Sequence, residues 1–576
     1  MRRSVGHLLR ILSPGIVTVL LVACATTYQF GQFTEFRTYT KEQGFLRLPV
    51  IFIPGIKGSR LVLVDGTKEI KELWGTSSQV AFLSDFDDLL IPFDSRMGPP
   101  GTAGESYPRP EDYRPWDGRL QKRLTVEAQF LPHYRLGFSE SWVFSKVDVY
   151  GKLREFLENP SQGDYRADGD LFFFSYDWRL DIRLAAIRLA LELPIYRAKY
   201  MQYMADRYCE THNLGRCTPG NDRFQKHWED IKKDRRNAGF FNRNGDVKFL
   251  VVGHSMGGLV ARYLIWGMEQ QDDVARLILM ATPNFGAIDA LKGFDHGEYP
   301  ESLLTFLGKK TGVSPYSETD TKPVLFSFAS AFQLLPRHPR GLDASLLETL
   351  GLDVQRTLAQ LQGRSPKNYY DAYHGLELLP SVSSVRRYLR HLDQNAAEAV
   401  MADHLYANLR ASLCFHLTIS FEAVEKPDLR REISRQCQEE ERIFVGEAFV
   451  KSVAPQILSR LPERIEPVAA PPPVIVFGGH CHPTYYRAEL KGRRLSYRIA
   501  PKVVDGSGEQ FEYGDARVPT WSSFWDRPLD GVAPGYNFFL CEDHLGLVKS
   551  AAFRYNLLRE LIVIRRLSIP VRQGER

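Results

Sequence analysis

The sequence predicts an α/β fold in which helices cover both faces of a mostly parallel sheet. Short, uninterrupted apolar runs are typical of strands that are buried on both faces. Four such runs alternate with helical segments in the first half of the chain: Pro49–Ile53, Leu171–Phe174, Lys248–Val252 and Arg276–Met280. This alternation indicates parallel strands that are joined by helical crossovers.

Helical spacing of apolar residues marks the segments between these strands. It predicts helices at Val147–Leu157, Asp181–Leu193 and Leu259–Met268. Near the C-terminus, the segment from Lys549 to Ile562 is amphipathic, with its apolar residues on one side of a helix.

The alternation stops between Asn284 and Pro473, where helical stretches and polar turns take over. The Pro-rich run from Pro467 to Pro473 has the composition of a stiff linker, and Val474–Phe477 then resumes the strand pattern. We therefore predict a sheet interrupted by a large helical cap. The predicted core comprises residues 47–283 and 474–576, and the predicted cap comprises residues 284–473.

Composition excludes some classes of function. The chain has 576 residues, of which 44% are hydrophobic and 25% are charged, as in ordinary globular proteins. The net charge is +5, and three of these charges come from Arg2, Arg3 and Arg10. The remaining charge is too small and too scattered to indicate a nucleic-acid partner.

The N-terminus predicts export. Those arginines precede an apolar stretch, Ile11–Ala23, which would span about 20 Å as a helix and is too short for the roughly 30 Å hydrocarbon core of a membrane. Residues 1–23 therefore read as a signal peptide. One alternative is a membrane anchor that is retained. Another is a plain signal peptide after which Cys24 has no special role.

The end of this segment, Leu21-Val-Ala-Cys24, resembles the lipobox of bacterial lipoproteins. The resemblance implies that Cys24 is lipidated and becomes the new N-terminus. Ala25–Leu46 is polar and aromatic without a clear period, so residues 24–46 are expected to form a tether. Ala25, rather than an aspartate, follows the cysteine, which by the same resemblance implies an outer-membrane anchor that faces the periplasm.

Six other cysteines, an even number, permit three disulfides in an oxidising compartment. They are Cys209, Cys217, Cys414, Cys437, Cys481 and Cys541. Cys209 and Cys217 are predicted to pair because they would close a short loop. The other pairings stay open, and reduced buried cysteines are the alternative.

Gly253-His-Ser-Met-Gly257 is a G-x-S-x-G sequence that directly follows an apolar strand and opens an apolar helix. This context is typical of the nucleophile elbow of α/β hydrolases, in which a sharp turn exposes the serine at the edge of the sheet. Ser255 is therefore the candidate nucleophile. The alternative is a purely structural glycine-rich turn.

A nucleophilic serine needs a base, and the base needs an orienting carboxylate. In this fold the order along the chain is serine, acid, histidine. His544 suits the base because it precedes the C-terminal helical segment. Asp515 suits the acid, and Asp505 is its rival.

Five motifs, taken in order, resemble the lecithin:cholesterol acyltransferase family of phospholipases and phospholipid acyltransferases. They are Pro49-Val-Ile-Phe-Ile-Pro-Gly-Ile-Lys-Gly-Ser-Arg-Leu61, Tyr176-Asp-Trp-Arg179, Gly253-His-Ser-Met-Gly257, Gly514-Asp-Ala-Arg-Val-Pro519 and His544-Leu545. The family usually has Gly-Asp-Gly-Thr-Val where this chain has Gly514-Asp-Ala-Arg-Val518.

The resemblance implies Ser255 as nucleophile, Asp515 as acid and His544 as base. It also implies an oxyanion hole formed by the backbone N–H groups of Ile56 and Met256. The expected activity is hydrolysis or transfer of acyl groups from phospholipid or acylglycerol esters at a membrane, and no cofactor is required.

Other features have structural interpretations. Gly478-Gly-His-Cys-His482 resembles a metal-binding sequence, but we interpret it as a turn. Asp177 and Arg179 are expected to form a buried pair at a strand end, and the basic stretch Arg223–Arg243 a solvated face. The apolar stretch Phe326–Leu335 suits an acyl-binding wall or, alternatively, the core of the cap.

The sequence leaves two rivals to a lipid enzyme open. The first is a catalytically inactive, membrane-tethered binding lipoprotein. The second is an esterase for a non-lipid substrate.

Overall fold

The structure, a computed structural model, describes most of the predicted core and part of the predicted cap. The described residues are 47–65, 68–75, 89–91, 124–139, 142–297, 318–353, 365–386, 388–389, 392–420, 433, 437, 472–499, 502–505, 508–511, 514–523 and 536–567. The predicted signal peptide, the lipidation site Cys24 and the tether lie outside these residues.

The centre of the fold is a six-stranded sheet in which every pair of neighbours is parallel. The spatial order is β7-β1-β8-β9-β10-β15. These strands are β1 (Val50–Ile53), β7 (Leu171–Phe173), β8 (Phe249–His254), β9 (Val274–Met280), β10 (Val474–Gly479) and β15 (Tyr536–Leu540). The predicted α/β class with a mostly parallel sheet is thereby confirmed.

The central strands are apolar because they are buried on both faces. Every residue of β1, β8 and β10 is buried. Helix α4 (Met256–Arg262) follows β8 and is itself buried, and a π-helical turn, Tyr263–Gly267, continues it. The apolar area removed from water in these layers is the main contribution to the stability of the fold.

The segment between β1 and β7 contains strands that the sequence analysis did not predict. β4 (Leu124–Phe130), β2 (Ser59–Asp65) and β3 (Lys68–Trp74) form an antiparallel sheet, and β5 (His133–Ser139) pairs with β6 (Trp142–Asp148).

The helix predicted from Val147 therefore begins later. α1 spans Gly151–Glu158, whereas Val147 lies in β6 and is paired with Tyr134 of β5. The helical periodicity of the sequence cannot reveal a partner strand that lies earlier in the chain.

The helix predicted at Asp181–Leu193 is longer than expected. α2 spans Ile182–Thr211 and contains Pro194. A proline removes one hydrogen bond inside a helix. The helix continues because its second half buries tyrosines at helical spacing, Tyr196, Tyr200 and Tyr203, against the core. Tertiary packing here outweighs the local preference of proline.

The basic stretch after α2 includes α3 (Asp222–Lys233), which buries Phe224 and Trp228 and leaves most of its charged residues exposed, in agreement with a solvated face.

Between β9 and β10, all the regular elements of the described residues are helices. They are α5 (Ile288–His296), α6 (Glu318–Phe326), α7 (Ala329–Gln333), α8 (Ala344–Thr349), α9 (Pro366–Gly375), α10 (Val382–Arg386) and α11 (Gln394–Thr418). The predicted change from alternating to helical pattern agrees with this arrangement. No helix in the described part of the chain is long and apolar enough to cross a membrane.

After β10 the chain forms two hairpins before it returns to the sheet at β15. β11 (Tyr485–Lys491) pairs with β12 (Arg494–Ile499), and β13 (Lys502–Asp505) pairs with β14 (Gly508–Phe511). The short helices α12 (Thr520–Ser523) and α13 (Gly546–Lys549) precede the last helix, α14 (Ala551–Leu567). The predicted amphipathic C-terminal helix corresponds to α14.

The six cysteines from Cys209 to Cys541 form three disulfides. Cys209 pairs with Cys217 as predicted, with their Cα atoms 5.9 Å apart. The structure decides the two pairings that the sequence left open, Cys414–Cys437 and Cys481–Cys541.

Candidate active site

Ser255 occupies a sharp turn between β8 and α4. Its backbone has φ 53° and ψ −128°, in a region that residues with a side chain rarely adopt. Such a conformation costs about 1–3 kcal/mol and persists only where the surrounding structure imposes it. A Cβ on Gly253 would lie 2.6 Å from the Cα of Gly258, so the turn closes only with glycine there. The predicted strand–elbow–helix geometry is therefore present.

His544 and Asp515 complete a hydrogen-bonded chain with Ser255. The Nε2 atom of His544 lies 2.9 Å from the Oγ atom of Ser255. The Nδ1 atom of His544 lies 2.7 Å from the Oδ2 atom of Asp515. Asp515 is completely buried, and the side chain of His544 is 16% exposed. In this arrangement the carboxylate of Asp515 orients the imidazole of His544, which can remove the proton from the hydroxyl of Ser255.

The sheet topology explains how residues so distant in sequence meet. Ser255 follows β8 and His544 follows β15, and both strands end at the same edge of the parallel sheet. Asp515 packs against the end of β10, where a Cβ on Gly479 would lie 2.6 Å from the Cβ of Asp515. The backbone N–H of His544 also donates to the carbonyl of Asp515 at 2.8 Å.

The choice between the two candidate acids is resolved geometrically. Asp515 contacts His544, whereas the backbone of Asp505 ends β13 and pairs with Gly508 in the hairpin. The second oxygen of Asp515, Oδ1, accepts the backbone N–H groups of Arg517 at 3.0 Å and Val518 at 2.7 Å. These donors hold the carboxylate in one orientation.

The turn that carries Asp515 departs from the usual Gly-Asp-Gly-Thr-Val sequence at Ala516. Ala516, which replaces the second glycine, has φ 71°, in the left-handed region that glycine adopts without a steric cost. Its N–H donates to the hydroxyl of Thr484 at 2.9 Å, which helps to hold the turn. With alanine at this position, Oδ2 of Asp515 lies 2.7 Å from Nδ1 of His544.

The predicted oxyanion residues lie next to the serine. Gly55–Gly58 forms a tight turn closed by the Gly58 N–H, which donates to the Gly55 carbonyl at 3.0 Å. A Cβ on Gly55 would lie 2.7 Å from the Cβ of Ser255, so this turn, which carries Ile56, packs directly against the elbow. Met256 is the first residue of α4, and N–H groups in the first turn of a helix have no acceptor within the helix.

Two basic side chains, Lys57 and Arg517, border the site. The Nζ atom of Lys57 lies 5.2 Å from the ring centroid of Trp74. Burial, and then the nearby charge of Arg517, hold the pKa of Lys57 well below its usual value. Arg517 forms an ion pair with Asp289, with NH1 and Oδ2 3.2 Å apart. Neither side chain could be identified from the sequence, because their proximity depends on loops that are distant in the chain.

The features that were interpreted as structural have structural contacts. Arg179 and Asp177 form a buried ion pair with NH2 and Oδ2 2.6 Å apart, and Arg179 also donates to the carbonyl of Leu89. In the Gly478–His482 segment, Cys481 is bound to Cys541. Among the described residues, no three His, Cys, Asp or Glu side chains are grouped so as to hold a metal ion.

The apolar stretch Phe326–Leu335 spans the end of α6 and all of α7. Phe332 is completely buried and contacts the rings of Phe294, Phe326 and His404. These contacts agree with a role in the core of the helical region. Its role as an acyl-binding wall stays a prediction.

Comparison with known proteins agrees with the motifs. Residues 230–331 match the family model described as lecithin:cholesterol acyltransferase. No curated protein matches the chain. A solved structure described as "The crystal structure of Tle4-Tli4 complex" is similar, with 16% sequence identity and a TM-score of 0.36, covering 91% of this chain and 99% of that chain.

The matched residues include β8, the Ser255 elbow and α4, which carry the motif most closely tied to the chemistry. The match indicates a lipid acyltransferase or hydrolase, and it confirms over residues 230–331 the predicted resemblance of this chain to the lecithin:cholesterol acyltransferase family.

Proposed function

We propose that this chain is a serine-dependent acyl hydrolase or O-acyltransferase that acts on phospholipid or acylglycerol esters through an acyl-enzyme. The observation that carries the proposal is the continuous chain of hydrogen bonds from Ser255 through His544 to Asp515. The family match over the elbow supports a lipid ester as the substrate.

In the first half-reaction, His544 Nε2 takes the hydroxyl proton of Ser255 as Oγ bonds to the ester carbonyl carbon. The carbonyl oxygen becomes an oxyanion, for which the N–H groups of Ile56 and Met256 are the proposed donors. Each such donor typically lowers the barrier by about 3 kcal/mol. When the tetrahedral intermediate collapses, the ester C–O bond breaks and the imidazolium returns its proton to the leaving alcohol.

In the second half-reaction, water or an alcohol attacks the acyl-enzyme. His544 takes the proton of the incoming nucleophile and then gives a proton to Ser255 Oγ as the acyl group leaves. Asp515 stays ionised throughout; it holds Nδ1–H and stabilises the imidazolium. Water as nucleophile gives a free acid, and a lipid alcohol gives a new ester.

The rival functions make different demands on the site. An inactive binding lipoprotein has no need for a serine held in a strained backbone conformation at 2.9 Å from a histidine. An esterase for a non-lipid substrate would use the same three residues, and only the substrate separates it from the proposal.

We also propose that the protein acts at the bacterial cell envelope, anchored through a lipidated Cys24. The support is the lipobox-like sequence before Cys24 and a substrate class that is itself membrane-bound. The three disulfides suit an oxidising compartment.

The decisive experiment compares wild-type protein with Ser255→Ala. A fluorophosphonate probe should label the wild type and leave the variant unlabelled. Mass-spectrometric lipid analysis of phospholipid and diacylglycerol vesicles should show lysophospholipid with free fatty acid, or new esters, only with the wild type. Ser550→Ala, at a buried serine before α14, is the matched control and should retain activity.

Each rival has its own signature in this experiment. Probe labelling without any change in the lipids, together with turnover of soluble esters, would favour the non-lipid esterase. Absence of labelling in the folded wild type would favour the inactive binding protein.

A further inference from the structure

Both polar groups of one peptide bond beside the site are held by tyrosine hydroxyls. This peptide joins Pro54 to Gly55, immediately before Ile56. Its carbonyl oxygen accepts the hydroxyl of Tyr176 at 2.9 Å, and its N–H donates to the hydroxyl of Tyr150 at 2.9 Å. Tyr150 directly precedes α1 and Tyr176 follows β7, so the two hydroxyls reach the peptide from separate parts of the fold.

His254, the residue before the nucleophile, extends this contact to the catalytic histidine. Its Nδ1 atom lies 2.9 Å from the hydroxyl of Tyr150, and its Nε2 atom lies 3.0 Å from the backbone carbonyl of His544. A hydrogen-bonded path therefore runs from the Gly55 N–H through Tyr150 and His254 to the loop that carries His544.

The chemistry of the partners assigns every proton on this path. A carbonyl only accepts hydrogen bonds, so Nε2 of His254 must carry a proton. Burial lowers the pKa of His254 to about 3, so the ring is neutral and Nδ1 has a lone pair. Tyr150 therefore donates its proton to Nδ1, and its oxygen accepts the N–H of Gly55.

The rings leave little freedom to the two hydroxyls. Tyr150 and Tyr176 are 1% and 2% exposed. The ring of Tyr150 packs edge-on against Phe52 at 4.9 Å, and the ring of Tyr176 stacks on Phe174 at 5.9 Å between centroids. A Cβ on Gly58 would lie only 2.8 Å from the hydroxyl oxygen of Tyr150.

We propose that Tyr150 and Tyr176 form a clamp on the Pro54–Gly55 peptide. The clamp positions the Gly55–Gly58 turn, which carries the oxyanion donor Ile56, and His254 couples the clamp to the His544 loop. These three side chains are positioning residues, since they act through the backbone of the site. The inference rests on the proposed acyl-transfer function.

The physical reason is the geometric tolerance of an oxyanion hole. A donor stabilises the transition state only if it lies about 2.7–3.1 Å from the place where the oxyanion develops. A peptide held at both its carbonyl and its N–H cannot rotate, so the N–H of the next residue keeps its direction. Loosening the peptide should weaken transition-state binding and leave ground-state binding almost unchanged.

The test uses Tyr150→Phe, Tyr176→Phe and the double variant, each of which removes hydroxyls and retains the rings. With a short-chain soluble ester, we expect kcat to fall about 3- to 10-fold for each single variant, as for the loss of one hydrogen bond, with KM changed less than about 2-fold. Inhibition by a trifluoromethyl ketone, which binds as a tetrahedral adduct, should weaken in parallel with the loss of kcat/KM.

Tyr200→Phe is the matched control. Tyr200 is completely buried in α2, and its hydroxyl donates to the backbone carbonyl of Arg47, away from the site. This variant should lose stability and keep the kcat of the wild type. Because Tyr150 and Tyr176 act on the same peptide, either single variant decides the question if the other does not fold.

Unchanged kcat in the folded tyrosine variants, or a kcat loss in Tyr200→Phe equal to theirs, would overturn the clamp. The failure of the proposed function is distinguishable, because in that case the wild type itself would be inactive or Ser255→Ala would be as active as the wild type.

Discussion

Asp515→Asn should abolish nearly all activity while leaving the fold intact. In the native site, Oδ1 of Asp515 accepts two backbone N–H groups, and Oδ2 accepts Nδ1–H of His544. The amide of asparagine must direct its oxygen at the two backbone donors, because an NH₂ group there would face two other donors. Its NH₂ group is then left facing Nδ1 of His544.

The size of the expected loss in kcat follows from the nitrogen on which this geometry places the imidazole proton. With an NH₂ donor opposite, Nδ1 must act as the acceptor, so the proton of the neutral imidazole shifts to Nε2. Nε2 then has no lone pair with which to deprotonate Ser255, 2.9 Å away. Fixing the wrong tautomer of a triad histidine costs about 10⁴-fold in kcat, or roughly 5.5 kcal/mol.

The assay is steady-state hydrolysis of a soluble ester, with thermal unfolding to verify the fold. Combining Asp515→Asn with Ser255→Ala should cost little more than Ser255→Ala alone, because the three residues act as one unit. Asp505→Asn is the matched control and should retain full activity. Folded Asp515→Asn protein within about 10-fold of the wild type would refute the tautomer argument, and an inactive Asp505→Asn would show that the acid is Asp505.

Two further predictions concern the anchor and the response to acid. Cys24→Ser should leave the protein uncleaved or soluble, whereas the wild type should partition with membranes and have the mass of a diacylglyceryl adduct; a wild-type mass without the adduct would contradict the proposed anchor. Burial lowers the pKa of His254 to about 3, that of His404 to about 4, and that of His416 well below its usual value of 6.5. Unfolded histidines bind protons below about pH 6.5 and these folded ones do not, so the free energy of unfolding should be greatest above that pH and fall by up to about 1.4 kcal/mol per histidine for each pH unit of acidification. Urea unfolding at pH 7.5 and 5.5 measures the effect. His404→Gln should lower the number of protons taken up on unfolding in acid by up to one. Equal stability of the wild type at both pH values would contradict the prediction.

Much of the fold could be predicted from the sequence because it is encoded in local patterns. The buried strands β1, β8, β9 and β10 each contain a run of apolar residues, and the glycines around Ser255 reveal the elbow that follows β8. Cys209 and Cys217 are separated by only eight positions, so their pairing was evident. In each of these cases the pattern that predicts the feature lies within a short stretch of the chain.

Strands and helices that depend on distant partners could not be predicted in the same way. The β5–β6 hairpin displaced the predicted start of α1, and the buried tyrosines of α2 carried that helix beyond Pro194. In both cases packing against the rest of the protein outweighed the local preference of the sequence.

The sequence by itself determined the residue types of the candidate site and the order in which they occur, because a serine, an acid and a histidine with glycine-rich turns leave a readable pattern. Only the tertiary structure decided which carboxylate meets His544 and how the other four cysteines pair. It also decided that Tyr150 and Tyr176 hold the Pro54–Gly55 peptide and that His254 connects Tyr150 to the His544 loop. The contact between His254 and the backbone carbonyl of His544 joins residues 290 positions apart. The contacts of the candidate site are formed where strands β1, β8, β10 and β15 end at a common edge of the sheet, and no local pattern of side chains records which distant groups that edge brings together.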